Sequence, residues 1–366
     1  MTDPRRGGRA VRIPAGDGST TAAGLDETGV RTLLDAWRRC GAEEVAAPAE
    51  GAAAYWEATG WDWFHENLVH SATTAAITAG VGRRLLFHGA CLADPGTGSA
   101  VALVAASGTG KTTATRRLGP HYAYLTDETV IVAPDTLEVT PFPKPLSLLG
   151  PSGVRPKTQV SPDELGLGDA VPARLARLAV LDRVRDVDGP VTARAETMGL
   201  GDALIAVVPQ TSSLARLPRG LRELCRVIDR LGGVQRLVYA EADGLRPVVD
   251  ELLAAAPEPL EPAWEPLTPA ELAASRETGD AAAGAARREA VDDGIVTDDG
   301  RLILLAGPQL AALEGLGPVV WLMLEEPLTN AQIVERLAAE GPVPDDAADR
   351  VADAVTALAE SGLVRI

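Results

Sequence analysis

The stretch LVAASGTGKTTATRRLG, residues 103–119, carries the most specific structural signal in this chain of 366 residues. An apolar run ends in a glycine-rich turn, which a lysine and two threonines follow directly. In a phosphate-binding loop, backbone N–H groups of the turn bind phosphate oxygens, the lysine reaches the β- and γ-phosphates, and the Ser/Thr hydroxyl ligates Mg²⁺. We therefore predict a strand over 100–104, a nucleotide-binding turn and a helix over 112–118, with ATP and Mg²⁺ as cofactors.

The predicted nucleotide ligands form one continuous segment. Lys111 would neutralise phosphate charge, and Thr112 would bind the metal. Ala105 replaces the first glycine of the usual pattern, and its methyl group is tolerated where φ is negative. The alternative is an ordinary glycine turn beside an exposed lysine. The full predicted set is Ser107, Gly108, Thr109, Gly110, Lys111, Thr112 and Thr113.

An acidic pair, Asp127-Glu128, ends a predicted strand in AYLTDETVIV, residues 123–132. At a strand end that faces a phosphate-binding loop, such carboxylates bind Mg²⁺ or accept the proton of an attacking hydroxyl. Elsewhere they are solvated turn residues. We predict Asp127 as the base or a metal ligand, with Glu128 and Lys111 as further catalytic residues.

Each of two more side chains near these strands has two alternative roles. His88 in LLFHGAC shares a predicted strand face with Leu86 and Ala90, and is either catalytic or a hydrogen-bonded structural histidine. Lys144 in PFPKPL either approaches the phosphates or is solvated in a proline-bounded loop. The remaining histidines have no metal-ligand spacing with cysteines or acidic residues, so we predict no structural metal.

The chain divides by composition into five segments, and its length predicts two or three domains. Short apolar runs alternate with helical patterns in the central segment, which indicates an α/β domain with a mixed sheet. The predicted segments are a disordered N-terminus (1–24), a helical lead-in (25–82), the α/β domain (83–255), a linker rich in Pro and Ala (256–289) and a small winged-helix domain (290–366).

Composition excludes several classes of protein. The formal net charge is −17, so the phosphate backbone of a nucleic acid would be repelled. No apolar run reaches the roughly 18–20 residues of a membrane span, and the N-terminus has no secretory signal pattern. The three cysteines are far apart, which fits no disulfide framework. We expect a protein of the reducing cytoplasm.

The last segment combines a predicted hairpin, GIVTDDGRLILLA (294–306), with three helices. The second of these helices, NAQIVERLAAEG, has one Arg and two Glu, which disfavours DNA binding. An exposed strand beside an apolar helix can instead capture an extended peptide, unless its side chains only form the core. The predicted peptide-binding residues are Arg301, Leu302, Ile303, Leu304, Leu305, Val351 and Val355.

The central segment resembles the HPr kinase/phosphorylase-type P-loop domain over residues 70–255. The match rests on LLFHGACLADPGTGSAVALVAASGTGKTTATRRL, YLTDETVIV and PFPKPLSL. It implies that Lys111 and Thr112 hold phosphates and Mg²⁺, and that Asp127 begins an acidic pair serving metal binding and proton abstraction from a serine hydroxyl. Glu128 stands where the family has Asp, and the family's downstream Arg-Gly-rich signature is not found. Members of this family are often oligomers.

The last segment resembles PqqD-like domains, the recognition elements that bind leader peptides in the biosynthesis of ribosomally synthesised peptide natural products (RiPPs). The match consists of the hairpin, LEGLGPVVWLMLEEPLTNAQIVERL and VADAVTALAESGLVRI. This resemblance implies that a leader peptide pairs with the third strand and lies against the last helix.

Together the two resemblances imply a RiPP maturation protein that captures a precursor peptide and binds ATP with Mg²⁺. One hypothesis is phosphorylation of a Ser or Thr hydroxyl of the precursor, which tethering would promote by raising the local peptide concentration. Another is a non-catalytic adaptor that presents the precursor to other maturation enzymes. A nucleotide-dependent transcription regulator would need a basic recognition face, which this sequence lacks.

Overall fold

The computed structural model of the chain describes residues 8–46, 60–106, 108–150, 153–185, 191–276 and 282–366, and the backbone of 53–54. The chain divides into two compact units. Unit one is formed by Met1–Met198, Gln210–Ser213 and Val227–Leu260, and unit two by Gly199–Pro209, Leu214–Arg226 and Glu261–Ile366. Two stretches of the predicted α/β segment, 199–209 and 214–226, therefore belong to unit two.

Unit one has the α/β architecture with a large mixed sheet that the sequence predicts. Its strands are β1 (Arg9–Ala15), β2 (Gly18–Leu25), β3 (Glu43–Val45), β4 (Ala53–Ala54), β5 (Leu85–Ala93), β6 (Ser99–Val104), β7 (Ala123–Thr126), β8 (Thr129–Val132), β9 (Glu138–Thr140), β10 (Leu146–Leu148), β11 (Thr158–Val160), β12 (Ala173–Arg183), β13 (Arg194–Thr197) and β14 (Val234–Tyr239). Its helices are α1 (Glu27–Ala36), α2 (Trp61–Gly80), α3 (Lys111–Leu118) and α6 (Leu245–Ala254), while α4 (Leu200–Val207) lies in unit two and α5 (Gly220–Arg230) has residues in both.

The main sheet has the strand order β13-β14-β12-β6-β5-β8-β9, and β7 is also paired to β5. β12 is parallel to β6 and β14, whereas β5 is antiparallel to β6, β7 and β8. Gly89 of β5 pairs with Val104 at the end of β6, and His88 pairs with Thr129 at the start of β8. This register brings the end of β6 and the turn between β7 and β8 to the same edge of the sheet.

Among the described residues of unit one, two hydrophobic clusters pack helices onto its sheets. The first packs α3 and α6 onto the main sheet and includes Leu103, Ala114, Tyr124 and Leu245. The second packs α1 and α2 onto a four-stranded sheet of order β3-β1-β2-β4. Although α2 has 20 residues, none of the helices described for this chain is both long and apolar enough to cross a membrane.

The predicted disorder of residues 1–24 is wrong for residues 9–24, which form most of a β-hairpin. β1 and β2 pair around the turn Gly16-Asp17, and Val11, Ile13 and Ala15 are fully buried. This alternation of apolar side chains is a strand signal, which the surrounding Arg, Gly and Thr residues made easy to miss. The predicted helical lead-in contains α1 and α2, but also β3 and β4. Residues 1–7 lie outside the described residues.

Unit two is built on an antiparallel sheet of order β15-β17-β18-β19. The predicted hairpin is confirmed as β17 and β18, and three helices follow it. Thr329 caps α9 in a capping box with Gln332. The elements from residue 261 onward are β15 (Trp264–Pro266), α7 (Pro269–Leu272), β16 (Arg287–Arg288), β17 (Asp293–Thr297), β18 (Leu302–Ala306), β19 (Gln309–Leu313), α8 (Gly317–Met323), α9 (Asn330–Glu340), α10 (Ala347–Glu360) and β20 (Val364–Arg365).

The predicted linker 256–289 is wrong for much of its described length. β15 pairs with β17, and β16 pairs with β20. Leu267 and Ala286 are buried in the core that α8, α9 and α10 also form. A few apolar side chains are enough to attach this segment to the core, so its polar and proline-rich average composition is misleading. Residues 277–281 lie outside the described residues.

β18 is an interior strand, so the predicted exposed edge at residues 301–305 is wrong. β17 and β19 pair with it on its two sides, and the side chains from Leu302 to Leu305 are at most 1% exposed. Val351 and Val355 of α10 are buried in the same core. The prediction missed β19 because its sequence, QLAAL, is short, rich in Ala and equally compatible with a helix.

Buried His65 makes the stability of the protein depend on pH. It accepts a hydrogen bond from Trp37 Nε1 at 2.8 Å, and burial lowers its pKa from 6.5 to about 4. As the pH falls from 6.5 to about 4, His65 becomes protonated in the unfolded chain but stays neutral in the folded chain. This difference in proton binding lowers the free energy of unfolding by about 3 kcal/mol. Urea unfolding across this range measures the effect.

The matched variant is His65→Gln, which keeps an acceptor for Trp37. We expect its stability to change much less across the same pH range. An equally steep loss of stability in the variant would contradict the assignment to His65.

Candidate functional site

The glycine loop (residues 105–110) connects the end of β6 to the start of α3. Gly108 and Gly110 have φ angles of 80° and 105°, which glycine adopts without strain. Ala105 is buried and is not among the described residues with positive φ, so its methyl group fits where the usual pattern has glycine. Ser107 lies outside the described residues. The predicted strand, turn and helix are present in the expected order.

Lys111 is the first residue of α3, and its ammonium group returns to the glycine loop. Nζ donates to the carbonyl oxygen of Ala105 at 2.5 Å and to that of Ala106 at 3.4 Å. Burial lowers the pKa of Lys111, while the negative charges of Glu128 and Asp127 act in the opposite direction. The lysine therefore lies within electrostatic reach of both carboxylates.

Two residues that the sequence did not single out also contact the glycine loop. The hydroxyl of Tyr239 donates to the carbonyl oxygen of Thr109 at 3.3 Å, and Arg185 donates to that of Gly108 at 3.0 Å. Both contacts come from chain segments remote in sequence, at the ends of β14 and β12. No local pattern could have shown them.

Glu128 lies in the turn between β7 and β8, facing His88 of β5. His88 Nδ1 is 3.3 Å from Glu128 Oε1, and the two side chains are 41% and 30% exposed. Burial alone would raise the pKa of Glu128, but the hydrogen bond from His88 and the charge of Lys144 outweigh it and lower the pKa to about 2. Glu128 is therefore an ionised and accessible carboxylate at neutral pH.

Asp127 has a different environment, because its partner is the fully buried Lys144. Lys144 Nζ is 2.8 Å from Asp127 Oδ1, and the hydroxyl of Tyr124 is 3.0 Å from the same oxygen. Burial lowers the pKa of Lys144, but the attraction of Asp127 and Glu128 outweighs it, so the pKa is raised. Lys144 is thus not solvated, and its direct partner is Asp127. A lysine flanked by prolines in an apolar run was the available signal for burial.

The predicted site residues are divided between the units. Unit one brings together the glycine loop, Lys111, His88, Asp127 and Glu128 at one edge of the main sheet. Thr112 is half-buried at the start of α3, and Thr113 is exposed. The predicted peptide-binding residues belong to unit two.

The donor set at this edge fits ATP with Mg²⁺. The Thr112 hydroxyl and the Asp127 and Glu128 carboxylates are hard oxygen ligands, which Mg²⁺ takes together with nucleotide phosphates. Nothing lies within 4 Å of the position that a Cβ would occupy at Gly108, which leaves space beside the loop. Within the described parts of the chain, no group of three or more His, Cys, Asp or Glu side chains could hold a metal ion alone. Phosphate oxygens would have to complete the coordination.

No protein-family model matches the chain, and no curated protein matches it. The chain is similar to the solved structure of the HPr(Ser) kinase/phosphatase from Coxiella burnetii, with 13% sequence identity and a TM-score of 0.23. The match covers 46% of this chain and 87% of that chain. A similarity at this level carries no inference about the site.

The Lys144–Asp127 pair makes a testable contribution to stability. Replacement of Lys144 by Met leaves a buried carboxylate without its cation, which we expect to cost about 3–5 kcal/mol. The double variant Lys144→Met/Asp127→Asn removes both charges and should recover most of this loss. Denaturant unfolding of both single variants and the double variant measures the coupling. Additive losses in the double variant would show that the two side chains do not depend on each other.

Proposed function

We propose that the glycine loop binds ATP with Mg²⁺ and that unit one transfers the γ-phosphate to a hydroxyl group. The observation that carries the proposal is the shared edge of the main sheet, where the glycine loop, Lys111 and the Asp127-Glu128 turn meet. A glycine turn or an acidic turn alone has many structural explanations. Their juxtaposition supports phosphoryl transfer, because that reaction needs phosphate positioning, a metal ligand and a proton acceptor together.

Each residue has a distinct role in this proposal. The amides of the glycine loop and Lys111 bind phosphate oxygens, for which Lys111 must leave the carbonyls of Ala105 and Ala106. Thr112 and Asp127 hold Mg²⁺, which when bound screens the charge of the β- and γ-phosphates. Glu128 accepts the proton of the attacking hydroxyl, whose oxygen bonds to the γ-phosphorus as the bond to ADP breaks. His88 keeps Glu128 in place.

A strongly ionised carboxylate is adequate as this proton acceptor. Phosphoryl transfer has a loose transition state in which the attacking hydroxyl has lost little of its proton. Proton transfer to Glu128 can therefore follow bond formation to phosphorus. The proposed role of Glu128 therefore depends more on the position of its carboxylate than on its basicity.

We propose as acceptor a Ser or Thr hydroxyl of a RiPP precursor peptide that unit two binds. β19 is an edge strand of the unit-two sheet, beside a groove of about 680 Å³. Leu310 and Ala312 of β19, Ile205 of α4 and Glu360 of α10 line this groove. An edge strand has unpaired backbone groups to which an extended peptide can add, while a groove accepts its side chains. This supports capture at β19 in place of the predicted β18.

A non-catalytic adaptor is the second candidate. The lack of the downstream Arg-Gly-rich signature in the sequence favours it, and it would use the same groove of unit two. Only phosphate transfer to the peptide separates the two candidates.

Nucleotide binding is tested with Lys111→Met, because removal of the ammonium group leaves phosphate charge uncompensated. We expect the affinity for ATP with Mg²⁺ to fall by about tenfold or more in calorimetric titrations. Lys157→Met is the matched control and should bind as the unaltered chain does, since Lys157 contacts Glu66 through its backbone N–H. Equal affinity in all three proteins would remove the proposed phosphate site.

Peptide capture is tested by selecting a displayed library of random 15-residue peptides on the full chain. Ile205 is 45% exposed and lines the groove, so Ile205→Glu should reduce binding of the selected peptides by about tenfold. Val319→Glu, at a residue that is 38% exposed and absent from the groove lining, is the matched control. Equal loss in both variants, or no selected peptide, would contradict capture at this groove.

The kinase and the adaptor are separated by intact-mass analysis of a bound, Ser-containing peptide after incubation with ATP and Mg²⁺. A gain of one phosphate that Asp127→Asn abolishes would support the kinase. Peptide binding without any mass change would leave the adaptor.

A further inference from the structure

Lys144 is a fully buried cation beside the acidic turn. Its Nζ is 2.8 Å from Asp127 Oδ1 and 3.1 Å from the carbonyl oxygen of Pro145. Taking an ammonium group out of water costs several kcal/mol, and an apolar side chain of similar volume would fill the space without this cost. Packing alone therefore does not account for a charged residue at this position.

Tyr124 contacts the same carboxylate oxygen as Lys144. Its hydroxyl is 3.0 Å from Asp127 Oδ1 and 3.0 Å from the carbonyl oxygen of Lys144. Tyr124 is itself fully buried in the core that includes Ala114 of α3, so packing fixes its position. Both donors use Oδ1, and no residue that the structure describes is hydrogen-bonded to Oδ2. Among the described residues, the carboxylate is thus held through one oxygen, Oδ1.

The segment that carries Lys144 is also anchored to β7. Phe142 N–H donates to the carbonyl oxygen of Leu125 at 2.8 Å, and Lys144 N–H donates to that of Phe142 at 2.8 Å. Phe142 is 1% exposed. The backbone beneath Lys144 is therefore fixed to the strand that leads into Asp127, so the two charged groups are held in one geometry.

We propose that Lys144 and Tyr124 are positioning residues, which hold Asp127 through Oδ1 so that its other oxygen, Oδ2, binds the Mg²⁺ of bound ATP. This inference rests on the proposed nucleotide site. Mg²⁺ demands near-ideal octahedral geometry, so a ligand already fixed in orientation loses less freedom on binding. Residues that orient metal ligands typically change metal affinity by about 10–100-fold when replaced.

A purely structural ion pair would behave differently from a positioning pair. Its loss would lower stability without changing the gain in ATP affinity that Mg²⁺ provides. The useful readout is therefore the ratio of ATP affinities with and without Mg²⁺, because the proposed site binds metal-free ATP through the glycine loop and Lys111 and not through Asp127.

The experiment is calorimetric titration of ATP into the full chain, with Mg²⁺ and with chelator. We expect Lys144→Met to lower the ratio by about tenfold or more while changing the affinity for metal-free ATP by less than about threefold. Tyr124→Phe, which removes one of two donors to Oδ1, should lower the ratio less. Lys157→Met is the same chemical change away from the acidic turn and should leave the ratio unaltered.

An unchanged ratio in Lys144→Met, even with reduced stability, would overturn the positioning role. If that variant does not fold, Tyr124→Phe decides, and an unchanged ratio there overturns the inference. Absence of ATP binding by the unaltered chain would overturn the nucleotide site and this inference together. If only the positioning role is wrong, every folded variant will bind ATP with Mg²⁺ as tightly as the unaltered chain does.

Discussion

The register of β5 between β6 and β8 is the constraint on which the candidate site depends. Gly89 pairs with Val104, and a Cβ at residue 89 would lie 2.8 Å from the carbonyl oxygen of Leu103. Any side chain there would force β6 away or shift the pairing, and a shift of one residue would turn His88 to the opposite face. The glycine loop, His88 and the acidic turn share one edge because residue 89 has no side chain.

The adjacent carboxylates of Asp127 and Glu128 have different environments. Asp127 is buried against Lys144 and Tyr124, whereas Glu128 is partly exposed beside His88. One dipeptide thus places a rigid carboxylate and an accessible one within the same turn. Lys111 and Lys144 supply two positive charges against these two negative charges, so the site is close to neutral by itself. A polyphosphate would add negative charge, which is a physical reason for a divalent cation to enter with it.

The sequence was informative where neighbouring residues determine the structure. The glycine loop and the hairpin of β17 and β18 both lie within short stretches whose local chemistry is specific. Burial of Lys144 was missed, because its proline-flanked position is only a weak local signal and the burial depends on contacts with Asp127 and Tyr124, which lie earlier in the chain. β1, β15 and β19 were missed for a related reason, since each gains its stability by pairing with a strand that local sequence does not identify.

Unit two is assembled from three separate segments of the chain. Asp293, 1% exposed on β17, pairs with Arg222, and Arg301 pairs with Asp202 of α4. A Cβ at residue 201 would lie 2.4 Å from the Arg301 guanidinium carbon, so a side chain there would displace the guanidinium group. A gene fusion that carried only the C-terminal segment to another protein would separate both ion pairs and leave Asp293 as a buried charge. The C-terminal segment alone therefore does not carry all the contacts of unit two. During synthesis, residues 199–209 and 214–226 are made before the last segment of unit two, which holds their ion-pair partners Arg301 and Asp293.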